Sequence, residues 1–401
     1  MENRTVLISG GGIAGSTLAY WLARHGFSPT VVEHADTLRS SGSPVDVRGP
    51  AVQVAEQMGV MPQLRAAATA VTALSFINTT GRQVGRVNMR ALQRAAGSEE
   101  IELPRGDLAT ILRDASRDSA EYLFGDSITS LSQHDEGMDV TFAHSQPRRF
   151  DLVVGADGLH SAVRRLAFGP ESDFVEHLGV YVATLPLDGL VESAQDVLMY
   201  STPGRVISLH PGRDRPLAAF LFRSPAVPDF DHRDLEQHRK LLLTAFAEGS
   251  WRVPELLDRV RQADDLYFDA VSKVRLPQWW RGRVALVGDA ASCVSLFGDG
   301  SSLAMAGAYA LAEELAATPS DHESAFRRYE TAHRKLADPK QENAGKAVSL
   351  MIPATRHGIV IRNLATRLWP AGAAVSWLRR RLRQKRAAPR KPQNRTLASA
   401  S

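Results

Sequence analysis

The fold of this chain follows from one segment near its start, Thr5-Val-Leu-Ile-Ser-Gly10-Gly-Gly12-Ile13-Ala14-Gly15. A short apolar strand runs directly into glycines spaced G-x-G-x-x-G, and residues 16–25 then have the apolar spacing of a helix. A second apolar run ends at Glu33, 18 residues after Gly15, where a βαβ unit returns its second strand beside the first. The stretch therefore predicts a Rossmann-like α/β unit.

Each part of this unit has a physical role in holding a dinucleotide. The first glycine permits a tight turn, the second lets the backbone approach a pyrophosphate, and the third lets the helix pack closely on the strand. Free N–H groups at the helix start face the phosphates, and the acidic residue can accept hydrogen bonds from an adenosine ribose. We therefore predict a site for an adenine dinucleotide, with the candidates Gly10, Gly12, Ile13, Ala14, Gly15 and Glu33.

The composition is ordinary for a soluble enzyme and excludes several classes of protein. The 401 residues suffice for two to three domains. The single cysteine, Cys293, argues against a disulfide framework and a cysteine-rich metal site, so no metal is expected. No apolar stretch approaches the roughly 20 residues that span a bilayer, and no signal peptide is recognisable. We expect a cytoplasmic protein without a membrane span.

Charge is distributed unevenly along the chain. The net charge is +4, yet 13 Lys and Arg residues and no acidic residue follow Glu342. Residues 387–401 lack apolar periodicity, which predicts a disordered basic tail. This tail could be an arm for nucleic acid or an anionic membrane, or the solvated end of a C-terminal helix. The second interpretation is favoured because no aromatic residues alternate with the charges, so we expect no nucleic-acid partner.

Further polar candidates follow the second strand. Asp46 and Arg48 lie two apart in a predicted strand and therefore share one face, which we expect to point at the cofactor cleft. Arg39 lies just upstream. Arg105 directly precedes a predicted helix and is placed to reach a phosphate, with Asp107 in the first turn. Without the glycine motif, these residues would indicate only a strand, a turn and a helix start.

The mid-chain sequence Asp157-Gly-Leu-His-Ser161-Ala-Val-Arg164 follows a continuous apolar strand. As structure alone it predicts a turn with Ser161 and Arg164 on the surface. Because α/β sheets bind ligands at the carboxyl ends of their strands, the spacing D-G-x-x-S-x-x-R favours a functional interpretation.

A third apolar strand ends at Gly288-Asp289-Ala-Ala, and a glycine-rich helix start follows. Asp289 is placed to bond a polyol, and the helix start at Gly300, Ser301 and Ser302 is expected to face a developing anion. Asp299, in the connecting loop, is predicted to be solvated.

These three motifs occur in the order typical of the flavin-dependent aromatic hydroxylases. Over roughly residues 4–380 the chain resembles this family of single-component FAD monooxygenases with the p-hydroxybenzoate hydroxylase fold, and the Asp46 and Arg105 segments look most like its tetracycline-inactivating branch. The resemblance implies an α/β fold, with a Rossmann-like FAD-binding domain, an inserted antiparallel β-sheet substrate domain and a C-terminal helical segment.

The resemblance also implies roles for the candidate residues. The first motif and Glu33 would hold the ADP half of FAD, and Asp46, Arg105 and Asp289 the ribityl and flavin side. The other FAD candidates are Arg48, Asp157, Gly300, Ser301 and Ser302. The candidates for a transient contact with NADH or NADPH are Arg39, Arg48, Asp157 and Arg164. The family usually has His and Pro where this chain has Ser292 and Leu296, and no residue is identified as a catalytic base.

The middle of the chain changes to short β-prone runs at residues 197–200, 206–210 and 217–222, separated by turn sequences. We expect an antiparallel sheet that covers the flavin and forms the roof of the substrate site. His210, Phe220 and Phe222 are substrate candidates, although such residues more often belong to the core or the surface. The predicted units are residues 1–173 for FAD, with substrate-side strands around 70–104; residues 174–276 for substrate; residues 277–350 completing the FAD domain; C-terminal helices at 351–386, broken at Pro370; and the tail.

The resemblance implies an activity as well. FAD reduced by NADH or NADPH would form a hydroperoxide with O2 at carbon 4a and hydroxylate an aromatic, phenolic or polyketide-like small molecule in a water-poor pocket. The alternatives are an FAD-dependent oxidoreductase without oxygen insertion and a non-catalytic FAD-binding protein. A halogenase is disfavoured because W-x-W-x-I-P is absent, and a dehydrogenase would leave Asp157 and Asp289 unexplained. We expect a monomer or weak homodimer.

Overall fold

The computed structural model describes residues 4–36, 43–91, 100–187, 189, 193, 195–212, 215–293 and 299–365. The NAD(P)H candidate Arg39, the departure at Leu296, the predicted break at Pro370 and the predicted tail all lie outside these residues.

The strands are numbered in chain order as β1 (Thr5–Ser9), β2 (Ser28–Glu33), β3 (Val45–Val47), β4 (Ala73–Ile77), β5 (Gln83–Asn88), β6 (Ile101–Leu103), β7 (Glu121–Phe124), β8 (Ile128–His134), β9 (Gly137–Phe142), β10 (Arg148–Phe150), β11 (Leu152–Gly155), β12 (Val175–Pro186), β13 (Asp196–Thr202), β14 (Arg205–His210), β15 (Leu217–Arg223), β16 (Tyr267–Val274), β17 (Trp280–Arg281) and β18 (Val284–Leu286).

The helices are α1 (Ile13–Arg24), α2 (Pro50–Gln57), α3 (Met61–Ala67), α4 (Arg105–Ser116), α5 (Ala162–Ala167), α6 (Leu235–Phe246), α7 (Val253–Gln262), α8 (Asp289–Ser292), α9 (Asp299–Ala317) and α10 (His322–Met351). A single 3₁₀ turn covers Glu171–Asp173, and residues 356–365 are helical.

A six-stranded sheet in the order β17-β18-β11-β1-β2-β7 carries the dinucleotide motif on its central strand. β1 runs parallel to both β2 and β11, and β11 runs parallel to β18. The register places Ser9 beside Gly155, and Gly155 beside Leu286. The loops that follow β1, β11 and β18 therefore emerge side by side at one edge of the sheet, which is where such sheets bind ligands.

A seven-stranded sheet in the order β16-β12-β15-β14-β13-β4-β5 forms the second layer. Its neighbours are antiparallel except β13 and β4, which are parallel. The strands predicted at 197–200, 206–210 and 217–222 correspond to β13, β14 and β15. Smaller antiparallel sheets, β10-β9-β8 and β3-β6, complete the strand pairing among the described residues.

One face of the seven-stranded sheet packs against α6 and α7 in an apolar core. Phe220 and Phe222 lie in this core with exposures of 0% and 4%, and the Phe220 ring meets that of Phe246 at 5.4 Å. The prediction that these two phenylalanines contact substrate is therefore wrong. Alternation along β15 turns them toward the helices, and their neighbours Ala219 and Leu221 occupy the other face.

The long helix α10 closes the other face at one end. Val348 and Ile352 pack there against Val206 and Leu221 of the seven-stranded sheet. Pro339 lies inside α10, where it removes one backbone donor, and the helix nevertheless continues to Met351. Within the part of the chain that the structure describes, no helix combines the length and apolar character needed to cross a membrane.

Candidate active site

The glycine loop after β1 has the geometry that only glycine permits. Gly10 has φ of +101°, and a Cβ there would lie 2.6 Å from the carbonyl oxygen of Ala156. A Cβ on Gly15 would lie 1.9 Å from the carbonyl oxygen of Gly10, so α1 contacts the loop backbone directly. A Cβ on Gly12 would meet no atom of a described residue within 4 Å. The loop is thus packed by protein on two sides and open at Gly12.

The N-terminus of α1 opens onto this space. Gly12 is its N-cap residue, no side chain caps the helix, and its first turn contains no acidic residue. Ile13 and Ala14 form the first turn and are buried. Backbone N–H groups at such a helix start attract phosphate. The predicted place for a pyrophosphate therefore has suitable donors and free volume.

Glu33 ends β2 beside the same loop. One carboxylate oxygen accepts a hydrogen bond from the Gly11 N–H at 2.8 Å, and the other accepts one from the Ala35 N–H at 2.9 Å. The carboxylate therefore holds the glycine loop in place, and each oxygen keeps a lone pair for a further donor. The contact with a ribose stays a prediction.

Asp157 holds the loop after β11. Its carboxylate accepts hydrogen bonds from the Ser9 hydroxyl at 3.2 Å, the Val163 N–H at 3.1 Å and the Ser161 hydroxyl. Burial raises the pKa of Asp157, and these hydrogen bonds oppose that rise. The Ser161 hydroxyl in turn accepts from the Arg164 N–H at 3.0 Å and caps α5. The carboxylate thus fixes the backbone at the sheet edge, and its contacts with FAD and NAD(P)H stay predictions.

Arg164 is fully buried, so the prediction that it contacts NAD(P)H is wrong. Its exposure is 0%, and its guanidinium donates to the carbonyl oxygens of Ala290, at 3.1 Å, and Leu159. It also pairs with Glu171 at 3.3 Å. The residue therefore fixes the loop after β11 to the loop after β18. The arginine of the D-G-x-x-S-x-x-R motif is therefore structural, because it joins two ligand-side loops.

Asp289 begins α8 at the end of the third strand. Gly288 before it has φ of +65°, and a Cβ there would lie 2.9 Å from the Ala14 Cβ, so this loop rests on the start of α1. The Asp289 carboxylate accepts no hydrogen bond from any described residue. One of its oxygens lies 3.7 Å from where a Cβ on Gly300 would be. Asp289 is therefore an unbonded acceptor between two helix starts.

The first turn of α9 is fixed to β3 through its serines. The hydroxyls of Ser301 and Ser302 donate to the carbonyl oxygen of Asp46 at 2.7 and 2.8 Å, and the Ser302 hydroxyl accepts from the Arg48 N–H at 3.0 Å. The backbone of β3 therefore engages both hydroxyls, and the predicted cofactor contact at Ser301 and Ser302 stays a prediction. Gly300 and the backbone N–H groups of the turn stay candidates for the flavin side.

An ion-pair cluster connects β3, α9 and α10. The Arg48 guanidinium lies 2.6 Å from Asp299, 3.6 Å from Asp46 and 3.9 Å from Glu100. Asp299 also pairs with Lys340 at 3.1 Å, and its side chain is 17% exposed. The prediction that Asp299 is a solvated loop residue is therefore wrong, because it opens α9 and ties that helix to its neighbours.

The Asp46 carboxyl is shifted toward the neutral form. Burial raises its pKa to about 6; Arg48 opposes the shift, and the carboxylates of Glu102, Glu100 and Asp299 add to it. Arg48 is held by this cluster. Its contacts with FAD and the nicotinamide donor stay predictions. A protonated Asp46 could donate a hydrogen bond to a ligand, which a carboxylate cannot do.

The face of the seven-stranded sheet opposite α6 and α7 carries a polar row across adjacent strands. The register places Tyr267 beside Thr184, Thr184 beside Ala219, and Ala219 beside Ser208. The Tyr267 hydroxyl lies within electrostatic reach of Arg105, Cys293 and Asp289, and α8 packs against β16. This face therefore meets the cofactor edge of the parallel sheet.

Two predicted residues lie at the margins of this cleft. Arg105 is exposed at the start of α4, with Asp107 in the first turn, as predicted. His210 ends β14 with one ring nitrogen 2.9 Å from the Ser208 hydroxyl and the other buried without a partner among the described residues. Burial lowers the pKa of His210 to about 4, so the ring is neutral. It shares the cleft-side face, so its substrate role stays a prediction.

Sequence reasoning missed Tyr267, Asp269 and His160. Tyr267 and Asp269 lie two apart on β16 and share a face, a signal of the same kind that selected Asp46 and Arg48. His160 lies inside the D-G-x-x-S-x-x-R motif, at a position that the pattern leaves free. What the sequence does not contain is the strand register that brings them together.

Known proteins are similar to this chain in sequence and in architecture. The FAD binding domain family matches residues 3–341. A flavin-dependent monooxygenase of Legionella longbeachae is 33% identical over 344 residues, covering 85% of this chain and 88% of that protein. An uncharacterised protein of Mycobacterium tuberculosis is 39% identical over 342 residues, covering 84% and 92%.

The chain is an FAD-dependent monooxygenase. Among solved structures, that of tetracycline destructase Tet(51) superposes with a TM-score of 0.80 at 30% identity, covering 91% of this chain and 95% of that one. The fold class predicted from sequence is confirmed, as is FAD as the cofactor. Within this monooxygenase family, the glycine loop, the Glu33 carboxylate and the unbonded Asp289 occupy one continuous edge, so the residues present fit the dinucleotide.

Proposed function

We propose that this monooxygenase uses NADH or NADPH and O2 to hydroxylate an aromatic, phenolic or polyketide-like small molecule. The observation that carries the proposal is the meeting of two surfaces. The edge of the parallel sheet presents the open glycine loop and the unbonded Asp289, and the polar row of the antiparallel sheet faces it through Tyr267.

FAD would lie along the parallel-sheet edge. The α1 start and Gly12 would hold the pyrophosphate, and Glu33 the adenosine ribose. Asp289 would accept hydrogen bonds from the ribityl hydroxyls, since its carboxylate has no donor of its own among the described residues. Arg105 and Asp46 would flank the flavin ring. When bound and reduced, FAD supplies the activation of O2, which no side chain can perform.

The chain's own residues would shield and orient the substrate. Thr184, Ser208 and Ala219 form a closely packed wall, each no more than 5% exposed. Such a wall excludes bulk water from the reacting centre, which favours oxygen transfer over loss of peroxide. The Thr184 hydroxyl would offer a hydrogen bond to a polar substrate, the Ser208 hydroxyl is bonded to His210 at 2.9 Å, and Ala219 would leave room for a flat ring.

The reductant would bind transiently. The sequence has one G-x-G-x-x-G motif, and FAD is assigned to it. Arg48 is the described basic residue best placed for a pyridine nucleotide, because it is 26% exposed beside the flavin-side strand β3. With Arg164 buried, the earlier set of nicotinamide candidates is reduced to Arg48, Asp157 and Arg39.

The substrate class rests on the family and on the cleft. Tet(51) is named for acting on tetracycline, a fused-ring polyketide, and shares 30% identity with this chain. A cleft with hydroxyl groups on an otherwise apolar wall suits an electron-rich ring bearing a hydroxyl. We therefore place a multi-ring phenol or enol first among the substrate candidates.

The test is a screen of purified full-length protein. We expect a yellow protein that releases FAD on denaturation and oxidises NADH or NADPH faster when phenolic, polyketide or tetracycline-type compounds are present. Peroxide measured in parallel separates oxygen transfer from uncoupled turnover. A protein that binds FAD but shows no compound-stimulated oxidation across the panel would contradict the proposed substrate class, and one that returns all O2 as peroxide would contradict hydroxylation.

A further inference from the structure

A chain of polar contacts joins the cleft to the loop after β11. The Tyr267 hydroxyl donates to one Asp269 oxygen at 3.4 Å, and the other Asp269 oxygen lies 3.3 Å from His160 Nε2. His160 Nδ1 lies 2.9 Å from Glu171. Tyr267 and Asp269 belong to the antiparallel sheet, and His160 belongs to the parallel-sheet layer. The contacts therefore cross between the two layers at the mouth of the site.

His160 lies between two carboxylates that can only accept hydrogen bonds when ionised. Both ring nitrogens must then carry a proton, which makes the ring a cation. Burial opposes this charge, but the hydrogen bonds with Asp269 and Glu171 outweigh burial and raise the pKa of His160 to about 9. The His232 ring stacks on it at 3.8 Å. His160 therefore donates to Asp269, whose other oxygen accepts from Tyr267.

The hydrogen bond to the Asp269 carboxylate determines which way the Tyr267 hydroxyl points. The carboxylate has no proton to give, so the tyrosine must donate, and its oxygen lone pairs are left toward the cleft. Burial raises the pKa of Tyr267, with a further rise from Asp269 and Asp289 and opposition from Arg105, so the hydroxyl keeps its proton. The cleft is thereby offered a hydrogen-bond acceptor at Tyr267.

We propose that Tyr267 is a substrate-positioning residue that accepts a hydrogen bond from a free hydroxyl of the substrate, held in that role by Asp269 and His160. This inference rests on the proposed hydroxylase function and narrows its substrate class. A phenol or enol with a free hydroxyl fits the site, and the corresponding methyl ether loses the contact. The substrate's own hydroxyl also makes the substrate ring electron-rich, which oxygen transfer requires.

The experiment uses a matched pair of probes, 2-naphthol and its methyl ether, with full-length FAD-loaded enzyme. Dissociation constants are measured from the perturbation of the flavin absorption spectrum. In wild type we expect naphthol to bind roughly 5- to 10-fold more tightly than the ether, the effect of one hydrogen bond. Tyr267→Phe should bring the ratio to about one by weakening naphthol alone.

Asp269→Asn provides a reversal that a merely structural role would not produce. His160 would hold the amide oxygen, which turns the amide N–H₂ toward Tyr267 and makes the tyrosine oxygen the acceptor. The Tyr267 proton then points into the cleft, so the ether should bind more tightly than it does to wild type. His160→Gln releases this orientation and should give an intermediate ratio.

Tyr200→Phe is the matched control. Tyr200 lies in the same sheet, but its hydroxyl bonds to Ser250 at 2.9 Å on the helix-covered face. The ratio of ether to naphthol dissociation constants in Tyr200→Phe should equal that of wild type. FAD content is measured for every variant as a check of folding. If Tyr267→Phe folds poorly, His160→Gln, which keeps a hydrogen-bonding side chain at residue 160, provides the second test.

The outcomes separate this inference from the proposed function. An enzyme that hydroxylates substrates but shows the same probe ratio in Tyr267→Phe as in wild type overturns the role of Tyr267 alone. Naphthol binding no better than its ether in wild type, or no binding of naphthol at all, also overturns it. Failure of oxygen insertion in wild type would instead remove the proposed function.

Discussion

The two surfaces that meet at the cleft are built in different ways. The cofactor edge is made largely of backbone: Gly10 and Gly15 are packed so closely that no side chain fits, and Gly12 leaves a space for a ligand. The substrate face is made of side chains on regular strands, such as Thr184, Ser208 and Tyr267. A backbone-built surface tolerates little change, whereas a side-chain-built surface can change its specificity and keep its fold. The two should therefore respond differently to mutation.

The largest effect is expected at the packed side of the glycine loop. Gly15→Ala places a Cβ 1.9 Å from the Gly10 carbonyl oxygen, and backbone cannot move aside there without displacing α1. We expect a loss of about 3 kcal/mol or more in the free energy of unfolding, measured by urea denaturation. Wild-type stability in this variant would show that the loop is not packed as described.

Gly12→Ala is its matched partner on the open side. Its added methyl meets no atom of the described residues within 4 Å, and the residue has φ of −75°, so the apoprotein should keep wild-type stability. The methyl would instead fill the space proposed for the pyrophosphate, and FAD should bind at least roughly 10-fold more weakly by fluorescence titration. Unchanged FAD affinity would place the pyrophosphate elsewhere.

Asp289→Ala tests a carboxylate at this edge that accepts no hydrogen bond from a described residue. Loss of a charged-group hydrogen bond, on the order of 1.5–3 kcal/mol, should weaken FAD binding roughly 10- to 150-fold. Asp118→Ala is the control, since the Asp118 side chain is 94% exposed and distant from the loops after β1, β11 and β18 in the sequence. Equal FAD dissociation constants for Asp289→Ala and wild type would mean that the ribityl chain does not pass this residue.

Asp299→Ala should act on stability and spare the cofactor. It releases both Arg48 and Lys340 from a cluster that joins β3, α9 and α10. Because these pairs are only partly exposed, we expect a loss of about 1–2 kcal/mol in unfolding free energy, with FAD affinity within about threefold of wild type. A large loss of FAD affinity at unchanged stability would assign Asp299 to the cofactor instead.

The smallest effect expected is a pH dependence from His160, which faces Asp269, Glu171 and His232. Its pKa is raised from 6.5 to about 9, so its stabilisation is complete below pH 6.5 and is lost as the pH rises through about 9. His160→Gln should therefore lower the unfolding free energy by on the order of 1 kcal/mol near pH 6 and by little near pH 10. A constant difference across this range would mean that the ring is not charged.

The contrast between the two surfaces also explains what the sequence could predict. The roles of Gly10, Gly12 and Gly15 follow from local backbone geometry, which a glycine spacing records directly. The short runs that became β13, β14 and β15 were visible for the same reason, because β-prone residues alternate with turn signals.

Contacts between residues that are far apart in the chain could not be predicted from the sequence in the same way. Arg164 belongs to a binding motif yet is buried, because it reaches across to Ala290, more than a hundred residues later in the chain. For Phe220 and Phe222 the sequence leaves core and substrate site open, because alternation shows which residues share a face but not which face meets the cleft. The sequence predicts a solvated Asp299 because its partners Arg48 and Lys340 are distant in sequence.

The proposed function requires FAD-dependent oxygen insertion in the cleft between the two sheets. Purified enzyme is given NADH or NADPH, together with a compound that stimulates NAD(P)H oxidation. The O2 supplied is labelled with the heavy oxygen isotope, and the mass of the product is measured by mass spectrometry. We predict one labelled oxygen atom in the product of wild type and a strongly reduced yield from Gly12→Ala at limiting FAD. A product without the label, or with oxygen derived from water, would contradict the account.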